Sequence, residues 1–258
     1  MWKQNLTNEE YHGDFRNYLS SSDLRRILRS PAHYRAPHPQ TTAAQEVGTL
    51  VHEAVLEPST WQIRRRPAPK IDKRTKEGKA IAEWQAAQEQ QLGVSFVPED
   101  LYNQVCAIAE SVASSLGSTC LFTCGMAEVS GFTELNDQPI RIRPDYITDE
   151  MIIDLKTTVD ARDFQRSVFN YGYDIQAALY LDAAKAIDGL ERKFVWVVVE
   201  KEAPYGVQVF EASDEVIQRG RSLYQKAIQI YQDCAALDVW PSYSTAIQTL
   251  ELPKWLKE

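Results

Sequence analysis

The residues best suited to do chemistry lie near the middle of the chain, around Asp154. Side chains two residues apart on a β-strand share a face. A strand through this segment therefore places Asp154 and Lys156 together and turns Leu155 toward the core. Asp145 comes from the preceding strand of a tight hairpin, so its carboxylate approaches that of Asp154. Two converging carboxylates repel each other and lose hydration, which is costly unless a cation offsets their charge.

A hard divalent cation provides that offset. Mg²⁺ prefers oxygen ligands, commonly one or two carboxylates completed by water and substrate phosphate. Asp145 and Asp154 are therefore candidate metal ligands, and the ammonium group of Lys156 is placed to orient or help deprotonate an attacking water. Because Asp-x-Lys is a common tripeptide, the alternative for this motif alone is a surface hairpin with an ion pair.

Four further residues strengthen the metal hypothesis. His52 follows Gly48 by one helical turn and can complete a metal shell, whereas alone it would indicate a hydrogen-bonded structural histidine. Glu128 opens the predicted strands and supplies a third acid, whereas alone it would be a solvated charge on an edge strand. Gln176 and Tyr180 are four residues apart on a predicted helix, so they share one face. That spacing is also typical of a helix packing face.

Hydrophobic periodicity predicts the elements that position these residues. Helices are expected from a cap at 20–23, in a short piece from 31, and over 43–56, 79–91, 99–116, 161–170, 173–187 and 214–235; strands are expected over 128–135, 138–142, 145–148, 151–155, 194–199 and 207–210. This order favours one α/β domain with a mixed sheet over residues 1–258. Its N-terminal part, about 1–120, is helical, and the catalytic sheet and helices occupy about 121–258.

Charge is distributed unevenly along the chain. The net charge of −8 argues against a nucleic-acid coat protein, which needs a broad basic surface. Residues 64–79, however, carry eight Lys/Arg and two Asp/Glu, a local charge of +6 that leaves −14 elsewhere. In a protein that binds DNA, such a segment is the natural candidate for contact with phosphates, here through Arg64, Arg65, Arg66, Lys73, Arg74, Lys76 and Lys79. The alternative is a solvated, mobile loop.

The compartment follows from what the sequence does not contain. No apolar stretch follows a basic N-terminal region, so a secretory signal is not expected. No run approaches the ~18 apolar residues that a membrane span requires. The four cysteines therefore indicate reduced thiols in a cytoplasm. Cys120 and Cys124 have the spacing of half a metal site but lack a second pair, so buried, inert thiols are expected.

In this order (His, Glu, Asp, Asp-x-Lys, Gln-x3-Tyr), the chain resembles the PD-(D/E)xK nuclease superfamily. It resembles most closely the RecE-type exonucleases (exodeoxyribonuclease VIII-like) and their relatives among RecB-family nuclease domains. The likeness extends from about residue 10 to 255 through ordered blocks that include SSSDLRRILRSPAHY, GTLVHEAVLEP, RPDYI, IIDLKTT and YGYDIQAALYLD. The cysteines do not match the four-cysteine iron–sulfur pattern that some RecB-like nucleases carry.

The resemblance implies a fold and a metal centre. The fold is α/β, a restriction-endonuclease-like core with a central mixed sheet flanked by helices. Asp145, Asp154 and the carbonyl of Leu155 would hold Mg²⁺, for which Mn²⁺ can substitute, and His52 would be a further ligand as in the RecB-like variant.

The resemblance also implies a role for each of the other four candidate residues. Glu128 would act through a water on the metal or at a second ion site. Lys156 would position the nucleophilic water. Gln176 and Tyr180 would brace the scissile phosphate or Lys156.

The resemblance also implies an activity and partners. The activity is ATP-independent, Mg²⁺-dependent 5′→3′ digestion of linear double-stranded DNA, which leaves a 3′ overhang for a RecT-type single-strand annealing protein in recombination and repair. The partners are double-stranded DNA ends and further copies of the chain in a ring-shaped homo-oligomer, with a tetramer favoured, in a bacterial or phage-infected cell and away from membranes. Two alternatives stay open: a structure-specific endonuclease or RecB-like module of a larger complex, and a non-catalytic DNA-end-binding protein.

Overall fold

The computed structural model describes residues 1–37, 42–115, 117–118, 121–244 and 246–252. The helices in these ranges are α1 (Asn8–Gly13), α2 (Ser21–Arg29), α3 (Pro31–Arg35), α4 (Ala43–Leu56), α5 (Pro58–Arg64), α6 (Lys76–Leu92), α7 (Glu99–Ser114), α8 (Phe164–Asn170), α9 (Tyr173–Asp188) and α10 (Asp214–Leu237). The strands are β1 (Trp2–Lys3), β2 (Arg65–Ala68), β3 (Ser95–Pro98), β4 (Met126–Ala127), β5 (Ser130–Leu135), β6 (Gln138–Ile142), β7 (Tyr146–Ile147), β8 (Met151–Thr158), β9 (Lys193–Glu200) and β10 (Val207–Glu211).

A five-stranded mixed sheet forms the centre of the molecule, in the order β10-β9-β8-β7-β4. The central strands β8 and β9 are parallel, and the other neighbouring pairs are antiparallel. Strand β9 is a continuous apolar run because both of its faces are covered. The predicted fold class, a central mixed sheet flanked by helices, is confirmed.

Helices cover both faces of this sheet. On one face, α9 and α10 enclose a core that includes Ile152 and Trp196; on the other, α4 and α7 enclose a core that includes Leu155 and Val197. Each fully buried aliphatic side chain of this kind contributes about 1.5–3 kcal/mol. The two cores lie on opposite faces of β8. The polar side chains of this strand can therefore reach solvent only where the covering helices leave a gap.

The predicted strand meander was wrong in its connections. Strands β5 and β6 pair with β1 in a separate three-stranded sheet, whereas β7 and β8 belong to the central sheet. The predicted strand from Glu128 is interrupted at its first residue, because Glu128 has a left-handed φ of 50°. A short strand, β4, precedes this residue, and the chain then turns into the other sheet.

The basic segment is more ordered than a loop. The helix α5 that leads into this segment begins at Pro58, since proline is tolerated in a first helical turn. The chain continues into β2, which pairs in parallel with β3, and α6 begins at Lys76. Within 64–79, only residues 69–75 lie outside a helix or strand.

The remaining expectations concern thiols and membranes. Cys234 is buried and Cys106 is half-buried, but Cys124 is exposed, so the expectation of buried thiols was wrong there. Cys120 lies outside the described residues. Within the described ranges, none of the helices combines the length and apolar character needed to cross a membrane. The assignment of one domain over residues 1–258 stays a prediction.

Candidate metal and catalytic site

Three acids come together because three neighbouring strands bring them into register. Ala127 pairs with Tyr146, and Tyr146 pairs with Ile153, so the residues beside these pairs meet at one level of the sheet. The backbone N–H of Glu128 donates to the Asp145 carbonyl at 3.0 Å. Strands β4, β7 and β8 thus deliver Glu128, Asp145 and Asp154 to one end of the sheet.

Asp145 is fixed by the strand beside it. The backbone N–H of Leu155 donates to its Oδ2 at 2.7 Å. The carboxylate is almost fully buried, and one of its oxygens therefore has a set direction before any ligand binds. This contact confirms the prediction that the hairpin brings Asp145 close to the strand that carries Asp154.

Helix α4 delivers the histidine from one face of the sheet. Its buried side, which includes Leu50 and Val51, packs into the core shared with α7. His52 emerges beside that core, with its Nδ1 3.5 Å from Asp145 Oδ2. One ligand atom each from His52, Glu128 and Asp145 all lie within 4.8 Å of one another. These three residues form what we call the metal triad.

Asp154 and Lys156 share the other face of β8, as the strand periodicity predicted. Lys156 Nζ lies 2.6 Å from Asp154 Oδ2, and Asp154 is 1% exposed. The side-chain amide of Gln176 on α9 donates to Asp154 Oδ1 at 2.9 Å. Tyr180 is buried one turn further along α9 and lines the same cleft. Gln176 therefore serves the site through direct contact with Asp154, and Tyr180 lines the cleft on the same helix.

The three acids of the site, Glu128, Asp145 and Asp154, have shifted pKa values because they are buried close together. Burial, and then the Asp145 carboxylate, raise the pKa of Glu128 to about 7. Burial also raises the pKa of Asp154 to about 6, against the opposing effect of Lys156. For Asp145 burial acts in the same direction, but His52, Lys156 and the Leu155 N–H outweigh it and lower the pKa.

The two basic groups hold their protons more firmly than usual. Burial acts to lower the pKa of Lys156, but Asp154 and Asp145 outweigh it and raise the pKa. The pKa of His52 is raised in the same way, because Asp145 outweighs burial.

This donor set fits a divalent metal ion. An imidazole and two or three carboxylates match the ligand preferences of such ions. Burial and, after it, repulsion from the Asp145 carboxylate raise the pKa values of both Glu128 and Asp154. A bound cation would relieve that repulsion, so these residues form a candidate metal centre.

The candidate centre opens into a cleft of about 1430 Å³. The cleft is lined by residues from both helical layers and from the N-terminal segment, among them His52, Glu128, Leu155, Lys156, Gln176 and Tyr180. All the sequence-predicted catalytic and metal residues are therefore close together; their individual roles stay predictions.

Comparison with known proteins agrees with this geometry. Residues 20–253 match the model of a family described as a PDDEXK-like domain of unknown function (DUF3799). The chain belongs to this family. The predicted membership of the PD-(D/E)xK superfamily is thereby confirmed, and the RecE-type branch within it stays a prediction.

Solved structures resemble this PDDEXK-like domain to different degrees. A protein from Eubacterium rectale described as a candidate exonuclease is 15% identical, with a TM-score of 0.67 over 97% of this chain and 96% of that one. A phage-related exonuclease from Haemophilus somnus 129PT (16% identity, 86% and 96% coverage) and an alkaline exonuclease from Laribacter hongkongensis (13% identity, 90% and 96% coverage) reach TM-scores of only 0.33 and 0.31. No curated protein matches the chain. The first likeness shows the fold alone.

Two arginines of the PDDEXK-like domain line the cleft and were missed by sequence reasoning. Arg143 donates to Ser130 Oγ at 3.0 Å and to Asn8 Oδ1 at 2.7 Å. Arg25 donates to the Tyr171 carbonyl at 2.6 Å. Arg143 lies only two residues before Asp145, and this closeness in the sequence was the available signal that it reaches the same end of the sheet.

The structure divides the predicted DNA-binding residues into two groups. Arg64 and Arg65 line the cleft, and Arg65 also forms a bidentate pair with Glu53, from Nε to Oε1 at 3.1 Å and from Nη2 to Oε2 at 2.6 Å. The other five residues do not line the cleft; these are Arg66, Lys73, Arg74, Lys76 and Lys79. Arg66 donates to the Gln62 carbonyl, and Arg74 pairs with Asp72. A role in DNA binding stays a prediction for all seven.

Charge reversal of Arg64 and Arg66 should weaken DNA binding while leaving the Arg65–Glu53 pair intact. Each phosphate contact adds about 0.9 to the slope of log K against log salt. Arg64→Glu combined with Arg66→Glu should therefore reduce that slope by up to about two, as measured by fluorescence anisotropy across a salt series. Lys226→Glu on α10 is the matched control, because Lys226 is exposed on another element. An unchanged slope of log K against log salt would show that Arg64 and Arg66 do not contact DNA phosphates and are solvated instead.

Glu128→Gln should stabilise the metal-free protein at alkaline pH. Glu128 opposes folding only when ionised, so its cost is absent below about pH 4.5 and complete above about pH 7. The shift from 4.5 to about 7 corresponds to roughly 3 kcal/mol at most. In EDTA the variant should melt on the order of 5 °C higher at pH 8, with little change at pH 4.5.

The control is Glu134→Gln, which neutralises an exposed acid on β5. Differential scanning calorimetry of both variants at the two pH values measures the effect. An equal gain in melting temperature at both pH values would show that ionisation of Glu128 does not lower the free energy of unfolding.

Proposed function

We propose that this PDDEXK-like domain is a Mg²⁺-dependent, ATP-independent exonuclease that degrades linear double-stranded DNA from its ends. The observation that carries the proposal is the placement of Lys156, 2.6 Å from Asp154, in the same cleft as the metal triad. An ion pair on an ordinary surface hairpin would not be buried beside two further acids and a histidine.

The residues that would hold the metal are Asp145, Asp154, His52 and Glu128, with the Leu155 carbonyl. When bound, Mg²⁺ would supply Lewis acidity toward the phosphate and lower the pKa of a water molecule. Lys156 stays protonated because its pKa is raised. It therefore orients water or a phosphate oxygen by donating hydrogen bonds, and of the two roles predicted for it, deprotonation is the less favoured.

Gln176 acts on the site through Asp154. Its amide donates to Oδ1, which leaves Oδ2 directed at Lys156. This hydrogen bond fixes the rotamer of Asp154 without adding charge. Tyr180 is held neutral by burial, which raises its pKa, so it offers a hydroxyl group rather than a phenolate. Both residues thus position the charged groups.

The walls of the cleft support a polyanionic substrate. Besides Lys156, the cleft is lined by Arg25, Arg64, Arg65, Arg143 and Lys201. These cations offset the charge of the acids in the metal site, and contacts of Lys and Arg with the phosphate backbone supply much of the affinity in nucleic-acid binding. A chain with a net charge of −8 can thus bind DNA through one local surface.

The biological setting is proposed from the sequence resemblance. Digestion would proceed 5′→3′ and leave a 3′ overhang that a RecT-type annealing protein uses in recombination. The enzyme would enclose the DNA as a ring-shaped homo-oligomer, with a tetramer favoured, in the cytoplasm of a bacterial or phage-infected cell.

The decisive experiment uses linear duplex DNA with distinguishable 5′ and 3′ labels, incubated with Mg²⁺ or with EDTA. We expect Mg²⁺-dependent release that begins at the 5′ label and requires no ATP. Closed circular DNA should stay intact. Cutting of the circle would favour a structure-specific endonuclease, whereas retention of labelled ends without release would favour a non-catalytic end-binding protein.

A further inference from the structure

A second, smaller pocket is continuous with the catalytic cleft. Its volume is about 380 Å³, and it lies where the end of β8 meets α8 and the start of α9. The two spaces share Lys156, Thr157, Tyr171, Tyr173 and Lys201 in their linings. The remaining wall is formed by Thr158, Val159, Asp160, Asp163, Phe164 and Ser167. Pockets that bind small organic groups have volumes of roughly 300–1,000 Å³ and a similar mixture of apolar surface and a few polar groups.

Three aromatic rings form a row along this pocket. The ring of Tyr173 is stacked on that of Phe164, with centroids 6.0 Å apart and planes inclined by 24°. Tyr171 follows, with its centroid 5.8 Å from that of Tyr173. Phe164 is buried, whereas Tyr171 is 60% exposed. The row therefore ends in a ring that presents its surface to the solvent beside the catalytic lysine.

The backbone holds this exposed ring in place. Gly172 separates the two tyrosines and has a φ of 65°, a conformation that side chains other than glycine rarely adopt. Arg25 packs against this turn, so a Cβ at Gly172 would lie 2.8 Å from Arg25 Cδ. The Arg25 guanidinium also donates to the Tyr171 carbonyl. An exposed aromatic on a fixed turn loses little freedom when a ligand stacks on it.

Lys156 connects the pocket to the reaction. Its Nζ lies 4.9 Å from the centroid of Tyr173 and 2.6 Å from Asp154 Oδ2. A phosphate held by this ammonium group therefore has its own nucleoside next to the aromatic row. The pocket has room for one nucleoside and is too small for a base pair flanked by its two backbones.

We propose that this pocket receives the unpaired nucleobase of the nucleotide beside the scissile phosphate, which stacks on Tyr171 and Tyr173. The inference rests on the proposed function and adds that the terminal base pair must open before cleavage. Stacking on an aromatic side chain is tolerant of sequence, because every base has a π-face. The pocket would therefore accept all four bases.

A binding experiment tests the pocket without requiring catalysis. Duplex DNA carries the fluorescent base 2-aminopurine at one of the first four positions from the cleaved end, and EDTA prevents hydrolysis. Saturation with the wild-type protein should quench the fluorescence at one position through stacking. Tyr171→Ala should remove this quenching and Tyr171→Phe should retain it. Tyr243→Ala, which truncates an equally exposed tyrosine (65%) on the C-terminal segment, should leave it unchanged. Equal fluorescence with wild type and Tyr171→Ala at every position would overturn the proposal.

A kinetic experiment provides the second readout. An abasic nucleotide at the stacking position should raise KM about tenfold for the wild type, and Tyr171→Ala should raise it similarly on intact DNA. The two changes together should be no worse than either alone, because they remove the same contact. Additive effects at all four positions would reject the pocket as a base site. If the wild type hydrolyses no DNA, the proposed function fails, and the fluorescence result still decides whether a base stacks on Tyr171.

Discussion

Lys156→Ala should reduce DNA hydrolysis by about a thousandfold or more while the protein stays folded. Positioned proton donors and acceptors contribute about 10²–10⁴ in rate, and Lys156 has a second effect here. Its ammonium group lowers the pKa of Asp154, which burial raises. Without the lysine, Asp154 would hold its proton at higher pH and become a poorer metal ligand.

The measurement is a single-turnover cleavage rate at saturating DNA and metal, with circular dichroism as the test of folding. Lys193→Ala is the matched control, since Lys193 is an exposed lysine at the start of the neighbouring strand β9. DNA affinity should change little in either variant, because many cationic groups share the phosphate contacts. Activity in Lys156→Ala that equals the control would remove this residue from the mechanism.

Asp145→Asn should abolish metal binding, which is the second large effect that the geometry predicts. The asparagine Oδ1 can still accept the Leu155 N–H, so the local fold should persist. The negative charge beside His52 and Glu128 would be lost, however, and with it the main attraction for a cation. A ligand at 100 times its Kd stabilises a protein by about 2.7 kcal/mol, and the variant should lose that gain.

Thermal melts with Mg²⁺, Mn²⁺ and EDTA measure this effect without any DNA. The wild type should melt at a higher temperature with either metal than in EDTA, and Asp145→Asn should melt at one temperature in all three. Asp149→Asn, in the exposed turn of the same hairpin, should behave as the wild type. A metal-dependent rise that survives in Asp145→Asn would place the ion elsewhere.

The sequence predicted the site well where local geometry decides it. Strand parity alone places Asp154 and Lys156 on one face, and helical spacing alone aligns Gln176 with Tyr180. The ion pair between Lys156 and Asp154 confirms the first expectation, and the presence of both Gln176 and Tyr180 in the lining of the cleft confirms the second. The hairpin that brings Asp145 to β8 is equally local, since only a few residues separate its strands.

The sequence predicted less where distant segments meet or the backbone is unusual. The β2–β3 pair joins strands about 30 residues apart, and neither strand shows clear alternation. Glu128 has a left-handed backbone that its residue type disfavours, so a strand was expected there. Arg25, which lines the cleft, is fixed by the carbonyl of Tyr171 from a distant segment, for which a local pattern carries no signal.

The two short strands β4 and β7 lie at one edge of the central sheet, each with only two residues. They hold Glu128 and Asp145 at the position where the acids repel one another. Segments with few backbone hydrogen bonds open locally at a small fraction of the global unfolding energy. We therefore expect the metal-free edge to open locally, and an ion bound by Glu128, Asp145 and Asp154 would join β4, β7 and β8. Metal binding would then order this edge of the sheet. Slower hydrogen exchange of the backbone amides in β4 and β7 would show that the metal is bound.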